Sequence, residues 1–310
     1  MRRQIIATVK SALRPIVKHR FLIEKIKYRG QTILGSQAGN ELLAQLVHKP
    51  GAAGKIGGTE MRLCRVYLRR RDAADVCHSF GPYALWAYQN AGVYPNDPVT
   101  LSRFCREFLA ELQHLNLLGV WFNFGEANAR RTYAPQATLA EVKALEPYYY
   151  QRPWSAQLAG KRVLVVTPFA RSVESQYQRR KDVWARKPDL LPEFDLRVVR
   201  CQQIAGLLSE KEYPDWFTGL ASLKEQMAAK PFDVALIGAG AWSIPLATHA
   251  KSLGAFGIHL GGGLQLMFGI MGRRWESNPQ INALKTDAWT RPSDDERPQK
   301  MLLTENGCYW

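Results

Sequence analysis

Short apolar runs recur along the second half of the chain, and two of them are followed by glycine. Residues 162–166, 234–237 and 257–260 are apolar along most of their length, which is typical of strands buried in a parallel sheet. Close to these runs, the apolar positions of residues 216–229 and 241–252 recur at helical spacing. This alternation of buried strands and helices predicts right-handed crossovers and a doubly wound α/β sheet.

The same criteria assign elements to the rest of the chain. The further predicted helices cover residues 36–50, 59–71, 101–118, 137–145, 172–186 and 264–271, and the further strands cover residues 55–58, 120–122 and 194–199. Residues 50–54 are predicted to break the first helix because they combine proline with glycine, and residues 123–132 are predicted to form a polar loop. We predict an α/β domain over residues 36–310, with a half-domain boundary near residue 150. Its irregular tail, from Pro279, is expected to fold back over the site.

A basic amphipathic segment, residues 1–35, precedes this domain. Its apolar positions recur at helical spacing among lysines and arginines. Such a helix either lies on an anionic membrane surface or packs on the domain with a solvated basic face. The whole chain carries a formal net charge of +15, which favours an anionic partner such as a phosphorylated substrate, a membrane surface or nucleic acid.

Other features narrow the class of protein. No run of about 18 apolar residues occurs, so no transmembrane helix is expected, and the N-terminus lacks the pattern of a signal peptide. The five cysteines form no Cys-x-x-Cys pair, which predicts a reduced, cytoplasmic protein without structural zinc. Nucleic acid is not an expected partner, because no recognisable nucleic-acid-binding motif accompanies the basic residues.

Glycines follow the predicted strands at positions where ligands bind in open parallel sheets. These glycines are Gly57, Gly58, Gly238, Gly240, Gly261 and Gly262. A turn without side chains lets a phosphate approach backbone N–H groups at the start of a helix, so we expect a nucleotide-type site here. The pattern does not fit NAD, because Ser243 replaces the third glycine and His259 stands near the position where an acidic residue is expected.

Several side chains near these turns are candidates for chemistry, and most of them have a structural alternative. Thr59 is a reasonable N-cap, and Glu60 in the first helical turn either caps the helix or binds a metal ion or a sugar hydroxyl. His259 is either a satisfied buried histidine or a hydrogen-bonding group or base. Gln265 and the cluster Arg273–Trp275 would hold a phosphate and stack on a base; alternatively, this cluster is a solvated basic helix end.

A family resemblance emerges from these motifs. The residues that carry it are Val163–Phe169 with Gln176, Asp233–Gly240, Ile258–Gln265, Phe268–Ile270 and Arg274–Trp275. Together they resemble the GT-D-type glycosyltransferases, which are bacterial proteins of capsule, exopolysaccharide and glycoprotein glycan biosynthesis. The resemblance covers roughly residues 50–310 and is strongest in the last third of the chain.

The resemblance implies a Rossmann-like α/β fold, a nucleotide-sugar donor and a sugar acceptor. It also implies a divalent metal, Mg²⁺ or Mn²⁺, held by an Asp-x-Glu triplet after the first strand. Here the matching triplet is Gly58-Thr59-Glu60, which keeps the glutamate and replaces the aspartate with glycine. One carboxylate binds such a metal weakly unless substrate phosphates complete the shell.

Our hypothesis from the sequence is a cytoplasmic glycosyltransferase that extends a glycan, expected to be lipid-linked, on the inner face of the membrane. Glu60 and His259 are the predicted catalytic residues, with a nearby carboxylate as an alternative base. The predicted donor-binding residues are Gly57, Gly58, Thr59, Pro168, Phe169, Gly238, Gly240, Gly261, Gly262, Gln265 and Arg274. The alternative is a non-catalytic nucleotide- or glycan-binding protein, which the missing aspartate suggests.

Overall fold

One parallel sheet organises the protein, and a computed structural model describes residues 19–70, 80–203 and 211–310. Within these residues, eight strands form a single sheet in the order β1-β4-β3-β2-β8-β7-β5-β6, and every pairing is parallel. The strands are β1 (Ile33–Leu34), β2 (Gly51–Gly54), β3 (Leu117–Val120), β4 (Thr138–Glu141), β5 (Arg162–Thr167), β6 (Asp195–Arg200), β7 (Val234–Ile237) and β8 (Phe256–His259). The predicted α/β class with a doubly wound parallel sheet is confirmed.

Helices cover both faces of this sheet. They are α1 (residues 19–27), α2 (Ser36–Leu46), α3 (Gly58–Arg70), α4 (Pro82–Trp86), α5 (Pro98–Glu111), α6 (Glu126–Tyr133), α7 (Ala170–Gln178), α8 (Arg180–Val183), α9 (Trp216–Ala228), α10 (Ser243–Ser252), α11 (Gly263–Met267) and α12 (Pro279–Leu284). Residues 1–18, most of the predicted basic segment, lie outside the described residues. None of the helices described is both long and apolar enough to cross a membrane.

The two faces carry separate hydrophobic cores. Apolar side chains of α3, α5, α9 and α10 pack in one cluster, and those of α2, α7 and α11 pack in the other. The helices that follow β5 and β7 therefore lie on opposite faces, as do those that follow the adjacent strands β2 and β8. Where connections diverge in this way, a crevice opens beyond the carboxyl ends of the strands. We call these openings the β5/β7 crevice and the β2/β8 crevice.

Strand β2 lies in the segment that the sequence predicted to end the first helix. Gly51–Gly54 is fully buried and pairs with β8 and β3, whereas the strand predicted over residues 55–58 is wrong. The reason is close packing: a Cβ atom on Gly51 would lie 2.7 Å from the Phe256 ring, and one on Gly54 would lie 3.1 Å from Cβ of His259. This central position requires small residues, and local propensity gives no sign of that requirement.

Strand β4 lies in a segment that was predicted to be helical. The helix over residues 137–145 is wrong, because Thr138–Glu141 pairs in parallel with both β3 and β1. A 3₁₀ helix, Val142–Leu145, follows it. Tertiary pairing thus overrides a weak helical pattern. The strand predicted over residues 120–122 also begins earlier, at Leu117.

The predicted polar loop over residues 123–132 is largely the helix α6. Its buried residue Glu126 accepts hydrogen bonds from the backbone N–H groups of Trp121 at 3.0 Å and Asn123 at 3.2 Å. These hydrogen bonds hold the short connection after β3 in place and favour the start of a helix at Glu126. The helix predicted over residues 264–271 is also shorter than expected, because α11 ends at Met267 and Gly269 adopts φ +67°.

Candidate functional site

A cavity lies at the β5/β7 crevice, and we call it the glycine cavity. Its walls come from the turns after β5, β7 and β8, and from the C-terminal tail. Predicted donor-binding residues that line it are Pro168, Phe169, Gly238, Gly240, Gly261, Gly262 and Gln265. The structure therefore brings together residues that the sequence placed on three separate turns.

Glycine is required where these turns meet. A Cβ atom on Gly238 would lie 2.9 Å from the carbonyl oxygen of Gly261 and 2.9 Å from Cδ2 of Leu264. Gly240 and Gly261 have φ of +55° and +58°, a conformation that other residues adopt at a cost. The turns after β7 and β8 are thus in contact, and their backbone forms the floor of the cavity.

Three amide side chains face the cavity with buried polar atoms that lack partners among the described residues. These atoms are Oδ1 of Asn90, Nε2 of Gln203 and Oε1 of Gln265. The other end of the Gln265 amide donates to the carbonyl of Tyr309 at 3.0 Å. Buried polar atoms are normally hydrogen-bonded, and leaving one unsatisfied costs about 1–3 kcal/mol. The arrangement therefore suits a polar ligand with both donors and acceptors.

The C-terminal tail covers the glycine cavity, as the sequence predicted. Thr304 and Tyr309 line the cavity, and Oγ1 of Thr304 donates to the carbonyl of Gln89 at 2.9 Å. Trp310 packs on Phe169 with ring centroids 6.1 Å apart. The covered cavity holds about 80 Å³, well below the roughly 300–1,000 Å³ of small-molecule sites. A nucleotide would therefore need the tail to move aside.

The β2/β8 crevice holds a charged cluster of Lys55, Glu146 and His259. Nζ of Lys55 lies 3.9 Å from Oε1 of Glu146. Burial lowers the pKa of Lys55, and Glu146 partly opposes this shift. Burial and the nearby Lys55 ammonium also lower the pKa of His259 to about 3, so its imidazole is neutral at pH 7. Its Nδ1 atom is buried without a hydrogen-bond partner among the described residues.

Glu146 is a candidate acid or base that the sequence reasoning did not identify. Burial raises the pKa of its carboxyl group, while Lys55 opposes the rise. A Cβ atom on Gly263 would lie 3.5 Å from Oε1 of Glu146 and 3.2 Å from the Tyr148 hydroxyl, so the carboxyl group lies against the turn after β8. The sequence placed Glu146 just beyond a predicted helix, and neither spacing nor motif connected it with Lys55.

Glu60 lies at the start of α3 and folds back against Gly57. Burial raises the pKa of its carboxyl group; its own backbone N–H opposes the rise, and Glu305 adds to it. This conformation fits the capping interpretation. Helix α3 begins at Gly58, so Thr59 lies inside the first turn and the prediction that it is the N-cap is wrong. Gly57–Glu60 therefore lie at the end of β2 and do not line the glycine cavity.

The donor set around Glu60 does not by itself fit a metal ion. Among the described residues, no group of three or more His, Cys, Asp or Glu side chains could hold one. Mg²⁺ and Mn²⁺ bind through several oxygen ligands, so a metal at Glu60 would depend on phosphate oxygens of the substrate. We therefore derive no step that passes through a metal.

Arg274 contacts the tail at the rim of the glycine cavity. It pairs with Glu305, and its guanidinium lies 4.7 Å from the centroid of the Tyr309 ring. Glu305 and the following residue Asn306 have φ of +47° and +58°, which is strained for residues other than glycine. This turn directs the Glu305 carboxylate toward Arg274. The predicted phosphate ligand is thus engaged by the tail.

Comparisons with known proteins identify one distant structural neighbour. A scan against protein-family models finds no match, and a search of curated proteins finds no significant match. Among solved structures, the chain is similar to a selenomethionine-substituted domain of unknown function 1792 (DUF1792), with 12% identity and a TM-score of 0.42 over 78% of this chain and 82% of that chain. A similarity at this level carries no argument about function. The chain's own sheet establishes the α/β fold, and membership of the GT-D family stays a prediction.

Proposed function

We propose that this protein is a glycosyltransferase that takes a sugar from a nucleotide-diphosphate donor bound at the glycine cavity. The observation that carries the proposal is the cavity itself, at a point where the connections of a parallel sheet diverge. Its glycine turns leave backbone accessible to a diphosphate. The buried amides of Asn90, Gln203 and Gln265 match the donors and acceptors along the edge of a nucleobase.

In this proposal the diphosphate extends from the β5/β7 crevice toward Lys55. A Cβ atom on Gly261 would lie 3.6 Å from Cε of Lys55, so the turn after β8 connects the two crevices. The buried ammonium would stabilise negative charge on the leaving diphosphate, and such electrostatic stabilisation is strong where water is excluded. In this proposal Lys55 binds the donor phosphates, a role that the sequence hypothesis gave in part to Arg274.

The transfer itself needs a base for the acceptor hydroxyl. The new bond joins the acceptor oxygen to the anomeric carbon, the bond from that carbon to the diphosphate oxygen breaks with its electron pair, and the base takes the hydroxyl proton. Glu146 and His259 both lie in the β2/β8 crevice, and Glu60 lies at its edge. Burial raises the pKa of both carboxyl groups, which suits proton transfer near neutral pH, and Glu146 is the stronger candidate because the Glu60 carboxylate is folded back against Gly57.

The substrate class and pathway in this proposal are based on the resemblance of the sequence motifs to the GT-D-type glycosyltransferases. We propose an acceptor glycan, in surface polysaccharide synthesis, that is carried on a lipid at the cytoplasmic face of the membrane. The high positive charge of the chain supports an anionic substrate and an anionic surface.

Nucleotide binding tests the proposal directly. Thermal unfolding is measured with uridine, guanosine, adenosine and cytidine diphosphates, and at least one should stabilise the protein, by about 2.7 kcal/mol at a hundredfold excess over its Kd. Gln265→Ala should lower the affinity for that nucleotide by about tenfold, because the substitution removes a buried hydrogen-bonding group. Gln226→Ala, at an exposed glutamine on α9, should bind as the wild type does. Absence of binding to all four nucleotides would reject the proposal.

The second candidate is a non-catalytic nucleotide- or glycan-binding protein, and the capping conformation of Glu60 favours it. Turnover of the nucleotide sugar separates the two candidates. In an enzyme, Glu146→Gln should lower kcat by about 10²-fold or more while nucleotide affinity is retained. Nucleotide binding with no sugar transfer to any lipid-linked or free glycan acceptor would instead favour the second candidate.

A further inference from the structure

A second cleft, of about 470 Å³, opens beside the start of α3. Arginines and aromatic side chains dominate its lining. We call it the arginine cleft and define it by Arg20, Arg62, Arg65, Trp86, Trp121 and Phe124. These residues come from α1, α3, α4 and the loop after β3. The sequence analysis connected only Arg20 with an anionic partner, as part of the basic segment of residues 1–35.

The arginine cleft is strongly cationic in the part of the chain that the structure describes. No salt bridge among the described residues involves Arg20, Arg62 or Arg65. Burial lowers the pKa of Arg65, and the nearby Arg69 and Arg20 add to the shift. Nε of Arg65 is buried without a hydrogen-bond partner among the described residues. Three like charges held together in this way create a potential that attracts an anion.

Aromatic rings hold these arginines and remain partly open to solvent. The Arg62 guanidinium lies 5.4 Å from the centroid of the Trp86 ring, and that of Arg65 lies 4.7 Å from the Phe124 ring. Trp86 is 41% exposed and Trp121 is 44% exposed. Aromatic side chains are normally buried, so exposed rings around a charged cleft indicate a binding surface.

An apolar strip continues from the cleft along α1. Phe21, Leu22 and Ile26 are 42%, 57% and 45% exposed. Leu22 and Ile26 are four residues apart in sequence and therefore lie on one side of the helix. Phe21 also lines the arginine cleft. The site thus joins a cationic pocket to an exposed apolar helix side, a combination that matches an anionic head group attached to an apolar chain.

The arginine cleft also opens toward the β2/β8 crevice. Gly58, one of its lining residues, is two residues before Glu60 in the same helical turn. Nζ of Lys55 lies 4.9 Å from the centroid of the Trp121 ring, which connects the cleft with the charged cluster. A molecule bound in the cleft could therefore present a hydroxyl group to Glu146 and His259.

We propose that the arginine cleft binds the diphosphate of a prenyl-diphosphate-linked sugar acceptor, with the prenyl chain along Leu22 and Ile26. Arg62 and Arg65 donate to the diphosphate oxygens, and Trp86 and Trp121 contact the sugar and the first prenyl units. This inference rests on the proposed glycosyltransferase function and assigns its acceptor. It places donor and acceptor on separate surfaces that meet at Lys55.

Binding of farnesyl diphosphate tests this assignment without requiring turnover. Its affinity is measured by calorimetry and compared with those of inorganic pyrophosphate and farnesol. Farnesyl diphosphate should bind most tightly, because it engages both the arginines and the apolar strip. Arg62→Gln and Arg65→Gln should each lower the affinity for farnesyl diphosphate by about tenfold, because each removes one charge-assisted contact. Leu22→Ser should lower the affinity for farnesyl diphosphate and leave the affinity for pyrophosphate unchanged.

Arg103→Gln is the matched control. Arg103 also lies over an aromatic ring, at 3.7 Å from the centroid of Phe217, but it pairs with Glu107 at 2.8 Å and lies on α5. This variant should bind farnesyl diphosphate as the wild type does. Because Arg62 is exposed, the loss of affinity in Arg62→Gln should occur without a change in the urea midpoint.

Several outcomes would overturn the assignment. Unchanged affinity of farnesyl diphosphate in both Arg62→Gln and Arg65→Gln would remove the cleft as its site. Equal affinity for pyrophosphate and farnesyl diphosphate would show a site for the free anion only. Competition between farnesyl diphosphate and the nucleotide would place both in one site. If instead no nucleotide binds while farnesyl diphosphate binds with the expected pattern, the proposed function fails and the cleft stands as a lipid-diphosphate site.

Discussion

Lys55 and Glu146 meet at the carboxyl edge of the sheet, with Nζ of Lys55 3.9 Å from Oε1 of Glu146. Lys55 directly follows β2, and Glu146 follows the 3₁₀ helix after β4. Lys55 is only 8% exposed, and the Glu146 side chain is 25% exposed. A buried ammonium without a countercharge is more costly than the pair, so these residues depend on each other.

Glu146→Gln should lower the free energy of unfolding by about 1–3 kcal/mol, because it leaves Lys55 buried without a full countercharge. Lys55→Met in the same chain should recover most of that loss, since it removes the uncompensated charge. Urea denaturation of both single variants and the double variant gives the coupling between them. Additive losses would contradict the pairing.

The buried, neutral His259 predicts a pH dependence of stability. Its pKa falls from 6.5 to about 3 in the folded state, so between these values the unfolded chain binds a proton that the folded chain does not. The contribution of His259 to the free energy of unfolding is fully present above about pH 6.5. It is lost as the pH falls below that value, by up to about 1.4 kcal/mol per pH unit. Urea midpoints at pH 7, 6 and 5 should fall more steeply in the wild type than in His259→Asn.

The surface control for this experiment is His48→Asn, at an exposed histidine. It should retain the steep pH dependence of the wild type. Parallel pH profiles for the wild type and His259→Asn would show that His259 does not stay neutral in the folded protein.

Gly238→Ser should destabilise the protein by about 1–3 kcal/mol and abolish nucleotide binding. The new side chain would overlap the carbonyl of Gly261 and Leu264, each 2.9 Å from the Cβ position, and overpacking at this level forces neighbouring backbone to shift. Gly35→Ser is the matched control, because nothing lies within 4 Å of its Cβ position and serine is favoured before a helix. A Gly238→Ser protein with wild-type stability and nucleotide affinity would contradict the packing of these turns.

Trp310→Ala should loosen the tail that covers the glycine cavity. The side chain is 4% exposed, contacts Phe169, and donates from Nε1 to the carbonyl of Glu296 at 3.0 Å. Removing a buried tryptophan costs about 3–5 kcal/mol, here mostly as local opening. Trypsin should therefore cleave faster after Lys300, an exposed residue of the same tail that Met301 follows. Leu302→Ala, at a residue 57% exposed in the same tail, should be cleaved at the wild-type rate, and equal rates for both variants would contradict this role.

Much of the glycine cavity follows from the sequence. Strands β5, β7 and β8 are continuous apolar runs, and Gly238, Gly240, Gly261 and Gly262 follow them directly. Each of these signals is local, and the sheet then brings the turns together because parallel strands end at the same edge. The amides of Asn90 and Gln203 were not predicted, because single polar residues outside any periodic pattern carry no sign of what they face.

The charged cluster and the arginine cleft depend on distant parts of the chain. Glu146 was missed because β4 was predicted to be helical, and Lys55 because the residues around it were predicted to form a strand. Arg20, Arg62 and Arg65 had the same pattern as any solvated basic helix. Their exposed aromatic neighbours, and the absence of salt bridges from them to other described residues, become visible only when α1, α3 and the loop after β3 lie side by side.

The sequence by itself determined the α/β class, the four strands β5 to β8 in the second half of the chain and the glycine turns, because these features depend on neighbouring residues. Only the tertiary structure decided that Gly51–Gly54 is a central strand, that Lys55 meets Glu146, and that Trp310 lies on Phe169. The physical reason is that each of these is a packing relationship. A glycine becomes a strand residue when a neighbouring ring requires the space, and a charge is stable in the interior when a distant segment supplies its partner.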